Sequence, residues 1–423
     1  MRRVVVTGLG VVAPNGTGTE EFTLALREGK SGIRFHQKLQ DLKLTCQVAG
    51  YPTVDESLLS QFTQEQRRHI NGAMTFGGLA ALECWRDAGL SLSQEKTQWE
   101  TGTVFGTGIG AADTIGDRLA PMTREGQSRR MGSSVPEQAM CSSVSAFVGG
   151  LFGLGNRVST NSSACATGTE AVVECYRHVR AGFADRMLAG SSECDSPYVG
   201  AGFDAMRVTA RKGNDHPEQA SRPLSSTATG FVPGAGAGAL LLEDLDSALG
   251  RGARIYAEIE GAAVNCGGQR EGGSITASNP EGVRQCIRAA IAETPSASGR
   301  EISYINGHLT ATGGDPKEIE NLLAGLGLPP DALPWINSTK SMIGHTLGAA
   351  GAIECVATVL QLHHGFLHPS LNCEDVHPQI APIAKSIVHE PLEKALRRAL
   401  KTSFGFGDVN ACVVIRRWNE SQI

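Results

Sequence analysis

No C-x-x-C pair occurs among the eleven cysteines of this 423-residue chain. Their odd number and scattered spacing argue against a disulfide framework or a paired-cysteine zinc site, and fit reduced thiols in a cytosolic enzyme. A basic excess is missing too, since 38 Lys and Arg against 43 Asp and Glu leave a net charge of −5. Nucleic-acid binders carry a basic footprint, so that class is set aside. Nor is there any run of the roughly 18 apolar residues needed to cross a membrane as a helix. The start, Met1-Arg-Arg-Val-Val-Val-Thr-Gly-Leu-Gly-Val-Val12, is basic and then apolar, but Thr7, Gly8 and Gly10 interrupt it. With no small-residue cleavage site after it, this stretch reads as a buried strand rather than a signal peptide, and a cytoplasmic location is expected.

What remains is ordinary for a globular protein: 41% hydrophobic and 19% charged residues, with 52 glycines spread among the apolar runs. Val- and Ile-rich segments alternate with helical periods, which predicts an α/β fold. Strands are expected at 4–12, 102–106, 157–161, 186–189, 255–259, 302–306, 335–338 and 411–416. Helices are expected at 64–88, 168–182, 280–292, 317–324 and 348–362, and the charged stretch 112–138 reads as an excursion from the core. Two passages suggest an internal duplication. The segment from Val158 to Cys165, followed by a helix, resembles Pro334 to Lys340 with its own following helix. Likewise Thr229–Glu243 resembles Thr402–Arg416, each passing from a glycine-rich bend into an apolar strand. The halves expected are residues 1–250 and 251–423, with the seam in the charged segment 243–254.

Cys165 falls where the first of these strands hands over to its helix. Asn161, Ser162 and Ser163 supply capping chemistry, and Thr169, Val172, Val173 and Tyr176 trace one helix face. A helix N-terminus favours thiolate over thiol, which makes Cys165 a candidate nucleophile. A small buried hydrophobe is the alternative for any free cysteine. Two histidines in the second half lie in turns crowded with small residues: His308 at a strand end and His345 just before a Gly- and Ala-rich helix start. Asp315, Pro316 and Glu318 look like a helix start with a capping box.

Four motifs then occur in order: Ser163-Ala-Cys-Ala-Thr-Gly168, Asn306-Gly-His-Leu-Thr-Ala-Thr312, Lys340-Ser-Met-Ile-Gly-His-Thr-Leu-Gly-Ala-Ala-Gly351 and Ser403-Phe-Gly-Phe-Gly407. Together they resemble the β-ketoacyl-[acyl carrier protein] synthases of type II fatty acid and polyketide synthesis, over nearly the whole chain. The resemblance implies a thiolase-like fold, with two similar halves stacked as five αβαβα layers. It implies decarboxylative condensation of a Cys-bound acyl chain with malonyl-[acyl carrier protein]. In that chemistry Cys165 would be the acyl-accepting nucleophile, and the N–H groups of Cys165 and Phe406 would form the oxyanion hole. His308 and His345 would assist decarboxylation, oriented by a buried Lys340–Glu354 pair. Thr310 and Thr312 would hold the pantetheine arm, Phe406 would gate the two steps, and Ile109, Phe203 and Phe404 would contact substrate. Arg67, Arg68 and Arg207 would meet the carrier protein, extended by Arg129, Arg130, Arg211 and Lys212. No metal and no resident cofactor are expected, because the substrates ride on the carrier's phosphopantetheine. A homodimer is expected, with a heterodimer with a related ketosynthase or chain-length factor open.

Some residues depart from the family pattern. Leu309 and Ala311 stand where glycine or serine is usual, and Asp408-Val409 replaces a Gly-Thr, which should stiffen or redirect the loop carrying Phe406. Ser225-Ser-Thr-Ala-Thr229 replaces a charged segment, so an ion pair is expected to be missing there. These departures bear on acyl chain and pathway, and they leave a specialised polyketide or polyene branch open. The alternative function is a non-catalytic partner subunit of the chain-length-factor kind, although such partners typically lack the nucleophile.

Overall fold

Val4–Ala13 is buried along its whole length, and a strand apolar on both faces must be covered on both. The computed structural model, which describes residues 1–92, 95–295 and 298–419, places this strand at the middle of one long sheet. In chain order its strands are β1 (Val4–Ala13), β2 (Thr101–Gly106), β3 (Val158–Ser159), β4 (Arg186–Glu193) and β5 (Gly236–Asp244). The second half supplies β6 (Ala257–Cys266), β7 (Tyr304–Asn306), β8 (Trp335–Asn337), β9 (Arg398–Gly405) and β10 (Val409–Arg417). The spatial order is β8-β7-β9-β10-β6-β1-β5-β4-β2-β3, with Gly16–Thr17 hooked onto β1. Outwards from the β1–β6 contact the two sides repeat each other. Each has two antiparallel neighbours and then two parallel ones. Only Val4–Val6 pairs with Ala257–Ile259 to join the sides.

Six helices complete the layers: α1 (Gly72–Asp87), α2 (Ser143–Phe152), α3 (Thr167–Arg180), α4 (Pro280–Ala292), α5 (Asp315–Leu326) and α6 (Ala350–His364). Helices α1 and α2 cover the outer face of the first side, and α4 and α5 that of the second. Between them α3 and α6 touch strands of both sides. The result is the five-layered αβαβα stack that the resemblance implied. On α3 the expected face is buried, with Val172 and Val173 fully covered. Each such valine contributes about 1.5–3 kcal/mol. Where α3 crosses α6 the backbones nearly touch. A Cβ on Gly168 would lie 2.2 Å from the Ala352 nitrogen, and one on Gly351 would lie 2.3 Å from the Thr169 nitrogen. Only glycine allows this approach, and it brings the two helix starts together.

Two expectations are corrected. The helix expected over 64–88 is two helices, Gln64–His69 and α1. Ile70 is extended and Asn71 caps α1 by accepting the Met74 N–H, so a capping side chain overrides continuous periodicity. Strand β9 was not expected, because Arg398 and Lys401 break its apolar run. Both are buried and find carboxylates, Arg398 on Glu260 and Lys401 on Glu354. As expected, the uncharged segment 225–229 makes no ion pair of its own among the described residues; the Ser225 and Ser226 hydroxyls instead donate to Asp375, which pairs with Arg222 just before the segment.

Candidate active site

The crossing at Gly168 and Gly351 sets the site, because Cys165 lies just before α3 and His345 just before α6. Cys165 occupies a 3₁₀ turn, Ala164–Ala166, entered through Ala164 at φ 49. That left-handed backbone is strained for alanine, and it presents the sulfur beyond the helix end. Gly405 presses on this turn from β9, where a Cβ would lie 2.4 Å from the Ser163 oxygen and 3.2 Å from the Cys165 nitrogen. The approach carries the Phe406 N–H to the sulfur.

His345 Nε2 stands 3.1 Å from Cys165 Sγ, and His345 Nδ1 accepts the Leu347 N–H at 3.2 Å. With Nδ1 occupied as acceptor, the neutral ring assigns its proton to Nε2, facing the sulfur. The His308 ring meets His345 edge-on, with centroids 5.4 Å apart. One ligand atom from each of Cys165, His308 and His345 lies within 4.8 Å of the others. Burial, the largest influence, pushes the Cys165 thiol up to about 12, while Lys340 and the Phe406 N–H pull the other way. Burial thus outweighs the preference for thiolate expected of a helix start: the resting sulfur keeps its proton, and desolvation is the reason. Both imidazoles are held well below the ordinary histidine range, first by burial and then by Lys340. They are neutral donors at physiological pH.

Behind the histidines lies a charged layer. Lys340 Nζ donates to the His308 carbonyl and to Glu354 Oε1, each at 2.6 Å, and both side chains are buried. His308 is also held by its backbone, since Glu318 accepts the His308 and Leu309 N–H groups at 2.6 and 2.8 Å. The capping box expected of Glu318 is not made; its carboxylate turns to the His308 loop instead. Asp315 likewise accepts from Thr310 and Ala311. Leu309 and Ala311, the departures from small residues, take φ 27 and 62, a backbone region that favours glycine. The Leu309 side chain compensates by burying itself in the second-half core.

Of the remaining expected residues, Thr310 and Thr312 face each other, with hydroxyl oxygens 3.0 Å apart. Phe404 lies edge-on to His308 at 6.0 Å. An aromatic path runs from Phe406 through Phe203 and Phe231 to His345, with centroid steps of 6.2, 5.2 and 5.2 Å. Ile109 is not brought into this cluster; the residue is 49% exposed. Arg68 and Arg207 are exposed, whereas Arg67 is engaged by Glu56. Asp408 is fully buried at φ 64, and its carboxylate accepts the Asn279 N–H at 2.7 Å and the Gln269 N–H at 2.9 Å.

Two residues escaped sequence reasoning. Glu193 ends β4 and is fully buried; it accepts N–H groups from Gly108, Ile109, Gly110 and Gly348, tying the loop after β2 to the start of α6. A lone glutamate closing an apolar strand was the available signal. Lys401 was the other, hidden in a strand that its charge disguised.

Residues 1–248 match the family model described as "Beta-ketoacyl synthase, N-terminal domain", and residues 256–374 match "Beta-ketoacyl synthase, C-terminal domain". The chain is 35% identical over 420 residues to 3-oxoacyl-[acyl-carrier-protein] synthase 1 of Escherichia coli K12, covering 99% of each. Its structure resembles a β-ketoacyl synthase from Burkholderia phymatum, with TM-score 0.91 and 28% identity, over 99% of this chain and 100% of that one. It also resembles a chain from a type II PKS acyl-carrier protein in complex with its ketosynthase bound to the hexaketide. There the TM-score is 0.84 at 29% identity, over 99% and 100% of the two chains.

Proposed function

The chain belongs to the β-ketoacyl synthase family, and from that premise we propose that it elongates carrier-bound acyl chains by decarboxylative Claisen condensation. The observation carrying this reading is the convergence of one nucleophile and two neutral histidines within 4.8 Å. The Cys165 sulfur attacks the incoming acyl thioester, its proton ends on the departing carrier thiolate to give the free carrier thiol, and the acyl chain stays on Cys165. The tetrahedral oxyanion is placed for the N–H groups of Cys165 and Phe406, both fixed by the Gly405 contact. Malonyl-carrier then loses carbon dioxide, and the electrons of the broken C–C bond become an enolate. His308 and His345 donate to its oxygen, which needs two donors because the charge builds on one atom in a buried site. The enolate carbon attacks the acyl carbonyl and Cys165 departs as thiolate.

The acyl group and malonyl unit ride on the carrier's phosphopantetheine, with Thr310 and Thr312 along its path, so the reading requires no resident cofactor or metal. Fatty acid and polyketide elongation both fit this chemistry. The partner subunit is proposed to be a second copy of the chain, with a related ketosynthase or chain-length factor as the other assembly. A non-catalytic subunit is disfavoured by the intact Cys165–His345 contact. Among the described residues no helix is long and apolar enough to cross a membrane.

The test is intact mass of the purified protein after incubation with a panel of acyl-carriers, then with malonyl-carrier. An acyl increment that disappears as β-ketoacyl-carrier forms supports elongation. No increment with any carrier would leave the non-catalytic subunit as the reading.

A further inference from the structure

Lys401 lies on β9 and is fully buried beside the histidines. Its Nζ stands 2.9 Å from Glu354 Oε2, while Glu354 Oε1 takes Lys340 at 2.6 Å. One carboxylate therefore sits between two ammonium groups. Lys340 continues to the His308 carbonyl, so a connected line runs from β9 through Glu354 and Lys340 to His308. The Lys401 ammonium also donates to the Thr402 carbonyl, which directs it along its own strand. Its meeting with Oε2 is accordingly a contact of charges rather than a second directed hydrogen bond.

Burying a charge is costly unless it is paired, and one glutamate cannot neutralise two lysines. A structural ion pair would have needed Lys340 alone. Among the described residues the neighbouring ionisable groups include Cys165, Glu318 and Glu193 on the histidine side, and the thiols Cys355 and Cys412 on the Lys401 side. Glu318 is spent on the His308 and Leu309 N–H groups, and Glu193 on four N–H groups.

We propose that Lys401 is a second positioning cation for the condensation: it occupies the remaining oxygen of Glu354, fixes Lys340 on His308, and sets positive charge against both imidazoles. This rests on the decarboxylative reading above. Its charge acts in the same sense as burial and Lys340, since all three oppose imidazolium at His308 and His345. Loss of the charge removes part of what keeps the enolate donors neutral, and it leaves one Glu354 oxygen bare.

The experiment compares wild type, Lys401→Met and Lys401→Arg by two readouts across pH, with circular dichroism confirming the fold. One readout is carbon dioxide release from malonyl-carrier. The other is carbethoxylation of His308 and His345 by diethyl pyrocarbonate, which needs the neutral ring, mapped on peptides. In Lys401→Met the acid limbs of both should move to higher pH by roughly one unit, as expected for one coupled charge. Acylation of Cys165 should change little, and Lys401→Arg should restore both limbs. If Lys401→Met does not fold, Lys401→Gln keeps a donor for Thr402 and tests the charge alone. Unmoved limbs overturn the proposal, even if activity drops, because a packing role would leave the ionisation where it was. If wild type neither acylates nor releases carbon dioxide, the function reading fails, and the carbethoxylation limb still decides Lys401.

Discussion

His345 offers Nε2 to Cys165 Sγ at 3.1 Å while Leu347 occupies its Nδ1, so the histidine stands as a donor to the sulfur rather than a base. The thiol it faces is pushed up to about 12 by burial. Thiolate formation is therefore tied to the donors that greet it: the His345 N–H, the Phe406 N–H and the start of α3.

Acyl transfer should place the chain on Cys165 alone, and Cys165→Ala should take none. Cys141 and Cys266 are exposed and serve as internal controls, reacting with an alkylating agent yet gaining no acyl group. Peptide mapping after acyl-carrier treatment decides this. An adduct on any of the other ten cysteines would overturn the assignment.

His308→Ala should lose roughly 10²–10³ in malonyl decarboxylation, the usual cost of one donor to a developing oxyanion. Acylation of Cys165 should survive. Because both imidazoles titrate well below the ordinary range, they stay neutral as pH falls through 6.5. The wild-type rate should show no acid limb near that value. Undiminished carbon dioxide release in the variant would point to another group.

Docking to an acidic carrier needs a local basic patch, since the chain is itself negative overall. Reversing charge at Arg68 and Arg207, both exposed, should raise KM for carrier-bound substrate and leave a small pantetheine thioester unaffected. The carrier reaction should also weaken with salt, as the Debye length falls from about 10 Å at 0.1 M to about 3 Å at 1 M. Equal losses on both substrates would place these arginines in the fold instead.

Asp408 binds the Phe406 loop to residues 267–279 through Asn279 and Gln269, and the Gly407 N–H adds a bond to the Ile275 carbonyl. Asp408→Gly relieves a left-handed backbone costing about 1–2 kcal/mol but strands two N–H groups at about 1–3 kcal/mol each. The stranded donors win, so amide exchange over 267–279 and 404–408 should speed up. Protection equal to wild type would mean that the carboxylate does not hold the loop.

Much of this protein was legible in its amino-acid order. The α/β alternation, the Gly- and Ala-rich helix start and the four motifs follow from local patterns, because turn chemistry and periodicity act over a few residues. Leu309 and Ala311 were visible as departures, although only the fold shows that they sit at positive φ with Glu318 and Asp315 holding the loop. The break at Asn71 and the strand at 398–405 were not legible. A side-chain cap competes with helix periodicity, and a buried lysine in a strand makes sense only once its carboxylate arrives from another helix. The same holds for the ionisation of Cys165. Sequence placed it at a helix start and so suggested a thiolate, whereas burial among α3, α6 and β9 set its resting state. Sequence determined which groups this site contains; the crossing of two glycine-bearing helices decided their distances, and desolvation decided their charges.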